Sequence, residues 1–380
     1  MTSHRLSRFA AVLDGLARKD RLRRLAPREG IDFASNDYLG LAASPRLAAA
    51  IREALDRGVP AGAAGSRLLR GNHPEHEALE AEAAAFFGAE KALYFGAGFS
   101  ANVALVQTLP QRGDLVVFDE LIHASVHDGL KGCRAEAVAF AHNDAGAAED
   151  AIRAWRARGG TGAPFVATES LFSMDGDRAP VAELLALAEA HGGFLLLDEA
   201  HATGVYGPRG RGLGEGLEGR EALVSTHTCG KALGCSGALV TASAAIVDFL
   251  VNRARPFIYA TAPSPLAASA VREALRIVED EPGRRAALAA RVAVAEAKLA
   301  SLGLPASGSQ IQPVVLGRNA RAVAAARRLR AQNFDCRAIR PPTVPEGTAR
   351  LRVSLTLNVD EAAVAALFDA IGEELREAAA

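Results

Sequence analysis

The chain has 380 residues, 49% apolar and 23% charged, with Lys+Arg 43 against Asp+Glu 44 and a formal net charge of -1. That length buries a large core without disulfide or metal staples, and it accommodates two or three domains or one large domain with a smaller appendage. The near balance of charge speaks against a protein that neutralises many nucleic-acid phosphates.

The four cysteines, Cys133, Cys229, Cys235 and Cys336, form no CxxC pair and no regular framework, so a reduced, cytoplasmic compartment is expected. No apolar run is long enough to span a bilayer; the stretch 237–251 is interrupted by Thr241, Ser243 and Asp248. The opening MTSHRLSRFA lacks the apolar core of a signal peptide.

Residues 5–25 mix apolar side chains with arginines, the pattern of an amphipathic helix. A short strand is expected at 31–34, followed by the polar turn Ser35-Asn36-Asp37. Ser44 as N-cap and Pro45 at the first helical position open a helix that Gly58 closes. The loop Ala61-Gly62-Ala63-Ala64-Gly65-Ser66-Arg67 leads to a helix over 74–87, ended by Gly88.

From Lys91 onward, short apolar strands are expected at 92–95, 115–118, 137–140, 165–168, 194–197, 223–225 and 238–241, many of them separated by helices (100–109, 125–132, 144–158, 181–191). Wholly apolar strands flanked by helices predict an α/β fold with a large, mostly parallel sheet covered on both faces. From about residue 264 the texture changes to long helices (266–281 and 284–302), a strand at 311–315, a helix at 318–332, strands near 336–340 and 351–355, and a last helix at 360–377. The expected division is an N-terminal helix and arm over 1–45, a large domain over 46–263 and a smaller C-terminal α+β domain over 264–380.

In doubly wound sheets, ligands sit beyond the C-terminal ends of the strands. After 92–95 comes Gly96-Ala97-Gly98-Phe99-Ser100-Ala101-Asn102, where glycines meet a helix start. This is either an anion cradle or a plain strand-to-helix turn, and the spacing is not GxGxxG. After 115–118, His123 and His127 stand four apart. No HExxH and no third ligand accompanies them, so no metal is expected, and His123 is left either to stack on a planar ligand, to cap a helix or to face solvent. After 165–168 lies the polar run Glu169-Ser170-Leu171-Phe172-Ser173-Met174-Asp175-Gly176-Asp177, in which Ser173 is a candidate hydroxyl donor. After 194–197 come Asp198 and His201, three apart; a carboxylate ending so apolar a strand needs a cationic partner.

After 223–225 comes Thr226-His227-Thr228-Cys229-Gly230-Lys231. The chain has only five lysines (Lys19, Lys91, Lys131, Lys231 and Lys298), and Lys231 is the one at a sheet edge among small residues. A lysine shielded from water loses proton affinity and becomes a nucleophile. An amine, a carboxylate for a ring nitrogen, an aromatic for a ring face and an anion site are supplied together by Lys231, Asp198, His123 and Gly98-Phe99. That combination points to pyridoxal 5′-phosphate (PLP) held by a lysine Schiff base.

These segments, with Ser35-Asn36-Asp37-Tyr38-Leu39-Gly40-Leu41, His123-Ala124-Ser125 and Asp198-Glu199-Ala200-His201, resemble in order and over nearly the whole chain the α-oxoamine synthases. Those are fold-type I PLP-dependent transferases that join an amino acid to an acyl thioester with loss of CO2. Residues 338–352, Ala141-His142-Asn143-Asp144 and Ile311-Gln312-Pro313 most resemble the members that act in biotin biosynthesis. The resemblance implies L-alanine and pimeloyl-CoA or pimeloyl-acyl carrier protein as substrates. The near alternative is a glycine-using 2-amino-3-ketobutyrate CoA ligase or a serine-using synthase.

Carried over by motif, the resemblance makes Lys231 the Schiff-base lysine. It sets Asp198 on the pyridine nitrogen, His201 on the ring oxygen, Ser173 beside the cofactor and His123 on the ring face. Gly98, Phe99 and Thr228 would serve the cofactor and its phosphate. Arg352 would take the amino-acid carboxylate, and Arg23 and Thr343 resemble substrate contacts. The family is homodimeric with shared sites, and Thr261 would reach the partner's phosphate. One departure is the loop 61–67, where two usual glycines are alanines, so a position needing positive φ would be strained. A serine or cysteine hydrolase would need a GxSxG elbow, which is missing. A non-catalytic scaffold would have no use for the lysine.

Overall fold

The structure is a computed structural model describing residues 4–377. It divides into two compact units, one made of the chain up to Tyr38, Met174–Gly176 and the chain from Ala287 onward, the other of Leu39–Ser173 and Asp177–Ala286. In chain order, the smaller unit opens with α1 (His4–Arg18) and β1 (Ile31–Asp32). The larger unit then contributes α2 (Pro45–Asp56), α3 (Pro74–Phe87), β2 (Lys91–Phe95), α4 (Gly98–Thr108), β3 (Leu115–Asp119), α5 (Ala124–Leu130), β4 (Glu136–Phe140) and α6 (Ala145–Ala157). It continues with β5 (Pro164–Glu169), α7 (Val181–Ala190), β6 (Phe194–Asp198), β7 (Leu223–Thr228), β8 (Ala238–Ala242), α8 (Ala244–Arg253), α9 (Arg255–Ile258) and α10 (Pro265–Asp280). The last elements are α11 (Gly283–Ser301), β9 (Ile311–Gly317), α12 (Asn319–Ala331), β10 (Phe334–Asp335), β11 (Arg337–Ile339), β12 (Ala349–Ser354) and α13 (Glu361–Glu377).

In the larger unit a seven-stranded sheet runs β2-β8-β7-β6-β5-β3-β4. Every neighbouring pair is parallel except those made by β8, which runs against both β2 and β7. Successive strand residues point to opposite faces. Val116, Phe165, Leu196 and Val240 accordingly pack with Leu105, Val106, Leu250 and Phe257 on one face. Leu115, Val117, Val166, Leu195 and Leu197 pack with Ile152, Trp155, Leu184 and Leu185 on the other. Both faces are dry, which is why these strands read as continuous apolar runs rather than alternating ones.

Local signals explain the helix ends. Pro74 starts α3 and the preceding His73 ring accepts from Glu75 N at 3.1 Å, while Gly88 stops the helix at φ +69. Ala64 adopts φ +55, the strained left-handed position expected of an alanine in the 61–67 loop. The first helix is shorter than expected and ends at Arg18, with Asp20 turning the chain at φ +53.

The smaller unit holds an antiparallel sheet β11-β12-β9 and a parallel pair β1-β10. Ser354 N donates to Phe33 O at 2.9 Å and Leu357 N to Tyr38 O at 3.0 Å, so the N-terminal arm is laid along the end of β12.

The bounds of the two compact units differ from the division expected from sequence. Residues 39–45 and 264–286 belong to the larger unit, because α10 packs its apolar stripe against α2 and α3 there. The N-terminal arm is not a separate element but part of the smaller unit. No helix among the described residues is long and apolar enough to cross a membrane.

Candidate active site

The register of the larger sheet brings three strand ends level. Glu169 pairs with Asp198, and Asp198 with Thr226. Asp198, the last residue of β6, is only 8% exposed. Its Oδ1 accepts from Ala200 N at 2.9 Å and its Oδ2 from Asn102 Nδ2 at 2.6 Å. A carboxylate placed so deep needs such donors, since an unpaired buried charge is costly.

Lys231 lies in the connection between β7 and β8. Cys229 N donates to Gly237 O and Cys235 N to Cys229 O, which closes the turn below it. Gly237 has φ +93, and a Cβ there would lie 2.4 Å from the Tyr94 ring, so only glycine fits. Lys231 Nζ donates to His201 Nε2 at 2.7 Å. His201 follows β6 and is buried. The amine and its imidazole therefore come from adjacent strand ends.

Gly98 opens α4. The N-cap residue Ala97 gives no side-chain hydrogen bond, which leaves the first-turn N–H groups and the positive helix end for another acceptor. A Cβ on Gly98 would fall 2.7 Å from Thr228 Oγ1. Only a residue without a side chain lets the start of α4 come this close to that hydroxyl. Phe99 is exposed, and its ring meets His123 edge-on at 6.5 Å.

His123 is the N-cap of α5, its Nδ1 accepting from Ser125 N at 3.2 Å. Capping, left open in the sequence, is thus one of its roles. Crowding by surrounding protein pulls its pKa below the usual histidine value; Asp198 opposes that and Lys231 adds to it. His127 does not join it, but sets its ring against Phe118 at 5.5 Å.

Glu169 is fully enclosed. Burial and the neighbouring Asp198 charge push its carboxyl up to about 8, against the opposing pull of Lys231. Its Oε2 accepts from Ser173 N at 3.1 Å, while Oε1 is buried with no hydrogen-bond partner. The segment after β5 is also gripped from the side. His142 Nδ1 meets Asp119 Oδ1 at 2.9 Å and its Nε2 meets Asp177 Oδ2 at 2.7 Å. Burial alone would lower the His142 pKa, but the two carboxylates override it and raise it to about 10.

In the smaller unit, Arg352 on β12 is buried, and its Nη1 donates to Ser354 Oγ at 2.7 Å and to Asn36 Oδ1 at 3.1 Å. Arg23 Nη2 donates to Thr343 Oγ1 at 2.9 Å, so two residues singled out separately in the sequence are neighbours. Thr261 is exposed between α9 and α10.

The donor set fits PLP. Lys231 offers the amine, Asp198 the carboxylate for a ring nitrogen and His123 an aromatic face. Gly98, having no side chain, lets the N-terminus of α4 lie against the Thr228 hydroxyl, and free N–H groups beside a hydroxyl suit a phosphate. Sequence reasoning gave no role to Asn102, Ser125 or Glu169. The available signal was a polar residue inside the apolar run of α4 or at the end of an apolar strand.

The family model for aminotransferase class I and II matches residues 28–371. The chain belongs to this aminotransferase family. Among curated proteins it is 47% identical, over 88% of this chain and 83% of the other, to an 8-amino-7-oxononanoate synthase of Anaeromyxobacter dehalogenans. It is similar to a solved serine palmitoyltransferase from S. paucimobilis with a bound PLP-myriocin ligand (26% identity, TM-score 0.87, 98% of each chain). It is also similar to the 8-amino-7-oxononanoate synthase of Francisella tularensis (27% identity, TM-score 0.77, 92% of this chain and 99% of the other). The α/β architecture with a large, mostly parallel sheet is that of fold-type I PLP transferases.

Proposed function

We propose that the chain catalyses the decarboxylative condensation of L-alanine with a pimeloyl thioester, giving 8-amino-7-oxononanoate, CO2 and free thiol, a step of biotin biosynthesis. PLP is its cofactor. The observation that carries the reading is Lys231 Nζ placed 2.7 Å from His201, at the strand ends that also hold Asp198. The name shared by relatives at 43% to 48% identity favours this reaction over the glycine-using ligase.

When bound, the cofactor supplies the electron sink that makes the amino-acid Cα proton acidic. Lys231 is the amine that holds it and the base that takes and returns the Cα proton. His201, bonded to the same Nζ, sets where that amine points. Asp198, kept in place by Asn102 and the Ala200 N–H, would hold a proton on the ring nitrogen. Ser173 and His123 would line the ring. Gly98, Phe99 and Thr228 would cradle the phosphate, joined by Thr261 of a second copy. Arg352 suits the planar carboxylate of alanine because its guanidinium is a fixed fork. Arg23 and Thr343 would meet the acyl substrate. A cytoplasmic homodimer with shared sites, using pimeloyl-CoA or pimeloyl-acyl carrier protein, completes the proposal.

The test is thiol release from pimeloyl-CoA with L-alanine, glycine or L-serine as co-substrate. Release with alanine alone supports the reading. Release with only glycine or serine keeps the family and discards the reaction.

A further inference from the structure

Two buried polar side chains lie where apolar helices α4 and α5 pack together, and the reaction above gives neither a task in the chemistry at Cα. Asn102 Nδ2 donates both to Asp198 Oδ2 at 2.6 Å and to Ser125 Oγ at 3.0 Å. The amide orientation is forced, because turning its oxygen toward the carboxylate would set two acceptors against each other. One lone pair of Ser125 Oγ is thereby taken, and the oxygen lies 2.8 Å from His123 Nδ1. The backbone N–H of Ser125 reaches the same nitrogen at 3.2 Å. A ring nitrogen that accepts the backbone N–H carries no hydrogen in the neutral ring, so the Ser125 hydroxyl donates to it as well and the imidazole proton sits on Nε2.

We infer that Asn102 and Ser125 are positioning residues which, anchored on Asp198, hold His123 as the neutral imidazole with its proton on Nε2. The ring is fixed in orientation by the same bonds, and its outer nitrogen is always a donor. Asp198 is thus tied by one hydrogen-bonded path to the group proposed to cover the other side of the cofactor site. The use of this donor in catalysis rests on the proposed function, but the tautomer is a property of the chain itself. The titratable groups that face His123 are Asp198 at the end of β6, Lys231 between β7 and β8, and His127 on α5; the first favours its protonation and the other two oppose it.

Nitrogen-15 NMR of the full chain, labelled at the histidine ring nitrogens and recorded with and without PLP, reads the tautomer directly. The His123 signals are those lost in His123→Gln. The expected pattern near neutral pH is a bare Nδ1 and a protonated Nε2. In Ser125→Ala the His123 titration midpoint rises by about half to one pH unit, the size of one hydrogen bond to the neutral ring, and in Asn102→Ala, which frees the hydroxyl without removing it, it rises by less. A proton found on Nδ1, or a midpoint unmoved in either variant, overturns the inference. Failure of the proposed reaction shows differently, as no thiol release from a chain whose NMR pattern is as expected.

Discussion

Asp198 and Asn102 are joined by a 2.6 Å hydrogen bond across 96 residues of sequence, the carboxylate at the end of a buried strand and the amide on the helix that packs over it. The bond fixes one carboxylate oxygen in place. Asp198→Asn keeps the shape but removes the carboxylate, and its new NH2 group must face either the Asn102 amide donor or the Ala200 N–H. PLP should still bind, with turnover falling by about 10²-fold or more, the scale on which loss of one charge-stabilising group acts. Parallel measurement of cofactor affinity and thiol release checks this; an unchanged rate would remove Asp198 from the mechanism.

Gly98 offers a steric test of the phosphate cradle. A methyl group there would lie 2.7 Å from Thr228 Oγ1 and push that hydroxyl away from the start of α4. Gly98→Ala should weaken PLP binding by about tenfold or more, roughly 1.4 kcal/mol, and, because Thr228 must shift, should also lower the thermal stability of the cofactor-free chain. Fluorescence titration with PLP measures it, and an unaltered affinity would move the phosphate elsewhere.

Glu169 is expected to be protonated at neutral pH, its carboxyl having been pushed up to about 8 by burial and by Asp198. A carboxyl whose folded pKa lies above its unfolded value contributes stability that is complete below the unfolded value, near 4.5, and is lost as pH rises through about 8. Glu169→Gln, which cannot ionise, should therefore match wild type near pH 4.5 and exceed it in stability above pH 8. Denaturant unfolding across that range decides it; a wild type that gains on the variant with rising pH contradicts the assignment.

His142 behaves in the opposite chemical sense. It is cationic between Asp119 and Asp177, with a pKa raised to about 10. A histidine raised in this way contributes stability that is complete below its unfolded value, near 6.5, and is lost as pH rises through about 10. His142→Gln should lower Tm at pH 6, and the gap to wild type should close as pH approaches 10.5. A gap that is constant with pH would mean that the ring acts by packing against Phe172 rather than by charge.

The parts of this site that were legible in the sequence are those that sit directly after a strand. Lys231, Asp198, His123 and His201 each follow a short apolar run, and the rule for doubly wound sheets sends such residues to one edge. Asn102 and Ser125 were not legible as partners, because their meeting depends on how α4 lies over α5 and on strand register, neither of which a periodicity contains. The raised carboxyl of Glu169 needs the same three-dimensional information. In the fold, the reversal of β8 is not legible in the sequence, since a strand buried on both faces reads alike in either direction. The domain boundary moved for a related reason. The apolar stripe of α10 shows that it packs, but not that its partners are α2 and α3.

The most direct test of the account is borohydride reduction of the PLP-loaded chain followed by peptide mapping. The account predicts that the cofactor becomes fixed to Lys231, and that Lys231→Ala retains no reduced cofactor and loses thiol release altogether. Fixation at Lys19, Lys91, Lys131 or Lys298, or turnover that survives in Lys231→Ala, would contradict it.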